Sequence, residues 1–220
     1  MLTHILQLAS PTLPVGAYTY SEGLEKLVEN HIISNQDTLY HWLFQELNHG
    51  AIKIESALMI RAYNNSKNND LIRLKYWNQW LSAARETEEL RLQSWQMGRS
   101  LIKLISELQP ETKPIINMIG EQCNYAIAYG LASYYLQIDP LSATISYIHS
   151  WTSNLINAGV KLIPLGQTSG QKILFALNTH IQQIAEQIII LPDDDLHCLS
   201  WGLSLASMQH ETQYTRLFRS

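Results

Sequence analysis

Apolar residues recur at three- and four-residue steps along most of the chain, the spacing of one face of an α-helix. From Arg85 to Leu108, the residues Leu90, Met97, Leu101, Leu104, Ile105 and Leu108 fall on one stripe. Arg85 and Glu89 stand on its solvated side, where a weak i,i+4 pair can form. Gln109-Pro110 ends the run. Upstream, Asn35 or Asp37 caps a helix that carries Leu39, Leu43, Leu47 and Ile54 and reaches about Ile60. The cluster from Asn64 to Asp70 predicts a polar loop, after which Asp70 caps a short helix with Leu71, Leu74, Trp77 and Leu81. Between Asn124 and Leu136, Ala126, Ala128, Gly130, Ala132 and Ser133 alternate with aromatics. Small residues let two helices approach closely, so this is the candidate central helix. Asp139-Pro140 supplies an N-cap and a first-turn proline for a helix to about Gly159. A further helical pattern runs from Thr168 to Ile190. Asp193-Asp194-Asp195 is expected to open the last helix, where carboxylates suit the positive end of the dipole. There are no alternating apolar runs, no hairpin turns, no internal repeat and no clear linker. The expected fold is all-α: a compact single-domain bundle of about eight to ten helices over residues 1–220.

Composition narrows the function. Charged residues make up only 15% of the chain against 46% hydrophobic, where soluble domains average about 25% charged. A large core accounts for part of that shortage, and surface hidden against partner proteins accounts for the rest. A net charge of −4 leaves no electrostatic footprint for nucleic acid. The N-terminal residues Met1 to Leu8 lack the basic region of a signal peptide, and no apolar run is long enough to cross a membrane. Two distant cysteines, Cys123 and Cys198, make neither a disulfide framework nor a zinc knuckle. These features predict a soluble protein of a reducing compartment.

Candidate chemistry fails at each attempt. Gly166-Gln167-Thr168-Ser169-Gly170-Gln171-Lys172 has the wrong glycine spacing for a phosphate loop and reads as a helix break followed by a cap. His210-Glu211 lacks the second histidine of a zinc protease, since position 214 is Tyr214. His197 and Cys198 are neighbours and would diverge by about 100° on a helix, a poor chelate. His41 and His49 are too far apart to share an ion. Glu86, Glu88 and Glu89 read as a solvated helix face beside Arg85 and Arg91, and Cys123 as a small buried hydrophobe. No nucleophile, base and orienting group come together. The residues alone therefore predict a helical, partner-binding protein with no catalytic residue, no cofactor and no resident metal.

Four blocks then carry a resemblance. The first runs from Leu6 to Glu25 and contains Ser10-Pro11-Thr12-Leu13-Pro14-Val15-Gly16-Ala17-Tyr18-Thr19-Tyr20-Ser21-Glu22-Gly23-Leu24-Glu25. The second is Arg85-Glu86-Thr87-Glu88-Glu89-Leu90-Arg91 with Gln96-Met97-Gly98-Arg99. The third runs from Ala158 to Thr168, and the fourth is His210-Glu211-Thr212-Gln213-Tyr214-Thr215-Arg216-Leu217-Phe218-Arg219-Ser220. In order, spacing and position the chain resembles the UreF family of urease accessory proteins from end to end. The intervening segments, about residues 30–80 and 110–150, match only in helical character, and the blocks depart from the family at Thr19 and Thr215, where serine is common, and at Glu22, where glutamine is common. The resemblance implies an all-α homodimer in the cytoplasm. Such a protein binds UreD (also called UreH), recruits the GTPase UreG and docks on apo-urease. It couples GTP hydrolysis to nickel insertion without catalysing hydrolysis itself, and an internal tunnel through the assembly is the implied nickel route.

On that footing the candidate partner-binding residues are Tyr18, Tyr20, Glu25, Arg85, Glu86, Lys161, Gln167, His210, Glu211, Arg216, Leu217, Phe218 and Arg219. Pro11 and Pro14 stiffen the first block as a loop between helices, while Tyr18 and Tyr20 are amphipathic anchors. The resemblance links Glu25 and Lys161 to the UreG-facing role. Lys161 stands in an apolar segment, so it must snorkel or find a partner. The last block reads as an exposed end whose Leu217, Phe218 and two arginines dock on UreD. The competing reading is a direct nickel-binding metallochaperone using His210, His197 and Cys198.

Overall fold

The computed structural model describes residues 2–197 and 201–219. Those residues form eleven α-helices, three 3-10 turns and no strand. The helices are α1 (Leu2–Leu8), α2 (Leu24–Glu29), α3 (Gln36–His49), α4 (Ala51–Lys67), α5 (Leu71–Ala84) and α6 (Glu88–Leu108), then α7 (Lys113–Ile119), α8 (Tyr125–Tyr135), α9 (Pro140–Leu162), α10 (Gln167–Ile189) and α11 (Trp201–His210). The all-α expectation holds, and the count exceeds the upper estimate because one long run divides and a short helix was not foreseen.

The division is at Gly50. The apolar pattern from Leu39 to Ile60 suggests one helix, yet Gly50 is extended (φ −82, ψ 175) and ends α3 as it begins α4. A Cβ at this position would lie 2.5 Å from the Glu46 carbonyl, so only glycine makes the corner. The helix that follows runs further than expected. Asn64 to Lys67 are helical, not loop, and Asn65 and Ser66 are buried. Ser66 Oγ donates to the Ala62 carbonyl at 2.8 Å, so the hydroxyl is satisfied on the preceding turn and can enter the core. Asp70 caps α5 as foreseen, accepting from Arg73 N–H at 3.0 Å.

The start of α6 is a second correction. Thr87 is its N-cap and accepts from Leu90 N–H at 3.2 Å, so the helix begins at Glu88 and Arg85 stays extended (φ −64, ψ 129). The pair of Arg85 with Glu89 therefore does not form, and both side chains turn inward instead. Asp139 caps α9 through Ser142 N–H at 2.9 Å, with Pro140 in the first turn. Asp193 to Asp195 form a 3-10 turn and do not open α11. Asp193 pairs there with Arg61 at 2.6 Å.

At the centre lies α8, with every residue from Ala126 to Ser133 buried. It packs most heavily on α4 and α6, and α9 packs on α10. A Cβ on Gly130 would sit 2.2 Å from the Met59 carbonyl of α4, which fixes why this helix needs a glycine. Tyr129 is fully buried, with its hydroxyl 2.9 Å from Ser146 Oγ. The resulting core is continuous from Leu8 to Phe218. It carries the N-terminal loop and the C-terminal tail on the same side of the bundle.

Candidate functional site

The loop before α2 is pinned by Leu13, Val15 and Tyr20, all buried. It ends at Gly23, where φ is +83 and a Cβ would meet Ser207 N of α11 at 3.1 Å. Both the left-handed backbone and the closeness of α11 exclude a side chain there. The turn delivers Glu25 into the first turn of α2, where it is 7% exposed. Its two carboxylate oxygens accept from the backbone N–H groups of Leu217 at 2.7 Å and Phe218 at 3.0 Å. A buried carboxylate needs donors on both oxygens, and the end of the chain supplies them.

Contacts of His210, Arg216, Phe218 and Arg219 close the tail over the bundle. His210, at the end of α11, is fully buried. Its Nδ1 lies 3.0 Å from Glu89 Oε2 of α6, and its Nε2 lies 3.5 Å from Glu25 Oε2. Arg216 Nη1 donates to Glu89 Oε1 at 3.0 Å, and another guanidinium nitrogen donates to the Glu211 carbonyl. Arg219 N–H donates to the Thr19 carbonyl at 2.9 Å. The Arg219 side chain also meets the Tyr20 hydroxyl, although burial still raises that phenol above its ordinary range. Phe218 enters the core at 5% exposure, and Lys161 Nζ stands 5.6 Å from its ring centroid. The tail is thus packed on its own bundle, not the free end read from the sequence. Glu89, read there as part of a solvated face, is a member of this clamp.

The clamp gathers Tyr20, Glu25, Lys161, His210, Glu211, Arg216, Leu217, Phe218 and Arg219. Four of the candidates go elsewhere. Tyr18 and Gln167, with Lys161 at the shared border, line a cavity of about 400 Å³ between the N-terminal loop, α9 and α10. His149 lies on its wall, where burial lowers the imidazole below its ordinary value. Arg85 belongs to an interior group and donates to Glu55 Oε1 at 2.5 Å. The other Glu55 oxygen accepts from Tyr147 Oη at 2.9 Å. Beside them Glu22 accepts from Trp151 Nε1 at 2.8 Å and Gln93 Nε2 at 2.9 Å. Glu86 lines a separate cavity of about 340 Å³ with Trp80, Leu196 and His197.

Neither Glu22, noted only as a departure from the family, nor Glu55 was read from the sequence as a site residue. Glu55 carried a signal: it is a lone carboxylate in the apolar run from Ile52 to Ile60. Such a residue must find a partner inside the protein. The arrangement can bind, position and carry charge. Cys123 is buried, which pushes its thiol up to about 12 and leaves it unreactive. Among the described residues no three His, Cys, Asp or Glu side chains gather to hold a metal, and no helix is long and apolar enough to cross a membrane. His210 is enclosed by Glu25 and Glu89, His197 is exposed, and Cys198 lies outside the described residues.

Comparison with known proteins agrees with the blocks. The family described as UreF matches residues 33–178. The Urease accessory protein UreF of Nostoc sp. (strain PCC 7120 / SAG 25.82 / UTEX 2576) is 61% identical over 217 residues, covering 99% of this chain and 95% of that one. Its counterpart in Trichormus variabilis is 58% identical over 217 residues, with 99% and 95% covered. That of Microcystis aeruginosa is 54% identical over 216 residues, with 98% and 96% covered.

Proposed function

The chain belongs to the UreF family of urease accessory proteins, and from that premise we propose that it is a scaffold for inserting nickel into urease. It binds UreD (UreH), recruits the GTPase UreG, and docks with both on apo-urease in the cytoplasm. UreG hydrolyses GTP and the chain couples that event to nickel transfer. It works as one domain and as a homodimer, with nickel as cargo and no catalytic residue of its own.

One observation carries this reading. On α11, Trp201, Leu205 and Met208 are 76%, 58% and 50% exposed at steps of four and three, and the clamped tail continues the surface with Tyr214 and a 63% exposed Leu217. An apolar face of that kind marks a protein interface. The clamp below holds it facing outward, which favours UreD as its partner. Lys161, Tyr18 and Gln167 rim the neighbouring cavity and suit the UreG side. The carrier alternative draws no support from His210, whose ring is already enclosed by two carboxylates.

The test is co-expression with UreD and UreG, read by size-exclusion mass. Deleting residues 211–220 is expected to abolish co-purification with UreD while helicity by circular dichroism stays near normal. Undiminished co-purification would exclude the tail as the docking segment.

A further inference from the structure

Glu22, Glu55 and Arg85 form a charged group inside the bundle that is one positive charge short. Glu55 comes from α4, and Arg85 from the residue after α5. Among the described residues, the remaining groups that face Glu22 are neutral: Gln93 of α6, Tyr125 of α8, and Tyr147 and Trp151 of α9. Burial holds both tyrosine phenols well above their ordinary value, so neither carries charge near neutrality. Burial lowers the Arg85 guanidinium, but Glu55 more than offsets this and leaves it raised, so Arg85 stays cationic. His210 faces Glu25 and Glu89, and His149 lies on the wall of the cavity beside α10. Arg85 sits on Glu55 at 2.5 Å, whereas the hydrogen bonds to Glu22 come from neutral donors. Glu22 is half-buried beside the buried Glu55, and with both carboxylates ionised one negative charge there has no cation of its own among the described residues.

The backbone at Glu22 adds an independent sign. Its φ is +54, a left-handed conformation that a residue with a Cβ adopts at a cost. The turn spends that strain to deliver a carboxyl to the inside. We propose that Glu22 holds a proton while the loop of residues 16–23 is seated, and that giving up this proton loosens the loop and, through Glu25 in the next turn, the C-terminal clamp. The hydrogen bonds allow both states. The indole of Trp151 can only donate, so it keeps one Glu22 oxygen as acceptor, while the amide of Gln93 can turn over and accept from a protonated Glu22.

The direction of the effect follows from the surroundings. Burial first, and the neighbouring Glu55 second, push the Glu22 carboxyl up to about 7 from an ordinary value of 4.5. A released loop returns Glu22 to the ordinary value. The seated loop is therefore favoured in full below a pH of about 4.5 and loses that advantage as pH rises from there to about 7. Across that range release becomes easier by roughly 300-fold, at about tenfold per pH unit.

Hydrogen exchange of the full chain between pH 5.5 and 8.5, corrected for intrinsic rates, reads this directly. In the wild type, protection of residues 16–27 and 211–219 is expected to fall about tenfold per pH unit up to ~7 and then level off. In Glu22→Gln, neutral at every pH, the corrected protection should be flat and should exceed the wild type at pH 8. Peptides from α8 should show the same protection in both proteins, which controls for an intact fold. Equal pH profiles in wild type and variant would overturn the proposal. Should the variant fail to fold, the wild-type carboxyl carbon of Glu22, titrated by NMR, decides: a midpoint above ~6 supports the proton, and one at or below ~6 overturns it.

Discussion

The molecule holds two enclosed pairs of carboxylates, and they are neutralised in different ways. In the clamp, Glu25 and Glu89 meet two backbone N–H groups, the His210 ring and the Arg216 guanidinium, all contributed by α11 and the tail. In the interior group, Glu22 and Glu55 meet Arg85, Tyr147, Trp151 and Gln93, contributed by several separate helices and the segments between them. The clamp is a contact between the bundle and one segment, so it can open without disturbing the helices beneath. The interior group has two parts: Glu55, Arg85 and Tyr147 tie helices to one another, whereas Glu22 ties the loop before α2 to α6 and α9 and can leave with that loop. The contrast is between an edge held by one segment and a centre held by Glu55 and Arg85 on separate elements.

The sharpest way to break that contrast is at Arg85. Its side chain is 9% exposed and that of Glu55 8%. Removing one member of a buried pair leaves the other charge stranded, at a cost of about 3–5 kcal/mol. Arg85→Ala is expected to lower unfolding stability by that amount in urea titration, and adding Glu55→Gln should recover most of it. A single variant within ~1 kcal/mol of the wild type would show that the interior group holds nothing together.

Glu25→Ala should act at the other pole. It removes the acceptor of two backbone N–H groups and one neighbour of His210. The expected loss is about 1–3 kcal/mol and confined to the tail. Limited proteolysis should cut the variant within residues 211–219 while α8 and α9 resist as before. If the cut appears throughout the bundle instead, the clamp and the core are one cooperative unit and the contrast fails.

How much of this was legible in the sequence follows the same division. The apolar stripes of α6, α9 and α10 were readable because packing on one core repeats at helical steps, and the small residues of α8 announced its close approach to α4. The corner at Gly50 was not, because the apolar pattern runs through it and the reason lies in the Glu46 carbonyl. Asn65 and Ser66 looked like loop residues because burial of polar side chains depends on bonds such as Ser66 to Ala62, which composition does not reveal. The tail was marked by its Leu-Phe and arginines. Its seat was not, because Glu25 and Glu89 reach it from far earlier in the chain. Arg85 was misread for the opposite reason: it lies beside a solvated helix start, yet Glu55 draws it inward.

Lys161 is where the smallest structural effect should carry the largest functional one. It is exposed, stands over the Phe218 ring at 5.6 Å, and borders the cavity that Tyr18 and Gln167 share. An exposed cation over a ring contributes about 0.5–1 kcal/mol, so Lys161→Ala should leave the fold and the Glu25 clamp in place. Yet, among the described residues, Lys161 is the one charged residue that touches both the clamped tail and the cavity, so a partner seated on the rim would sense the tail through it. Lys161→Ala is therefore expected to keep wild-type thermal stability within a few degrees and still weaken urease activation. Nickel content and activity of urease matured with the variant provide the measurement. Wild-type nickel loading would mean that tail and cavity work independently, and the edge of the molecule would then be two docking surfaces instead of one.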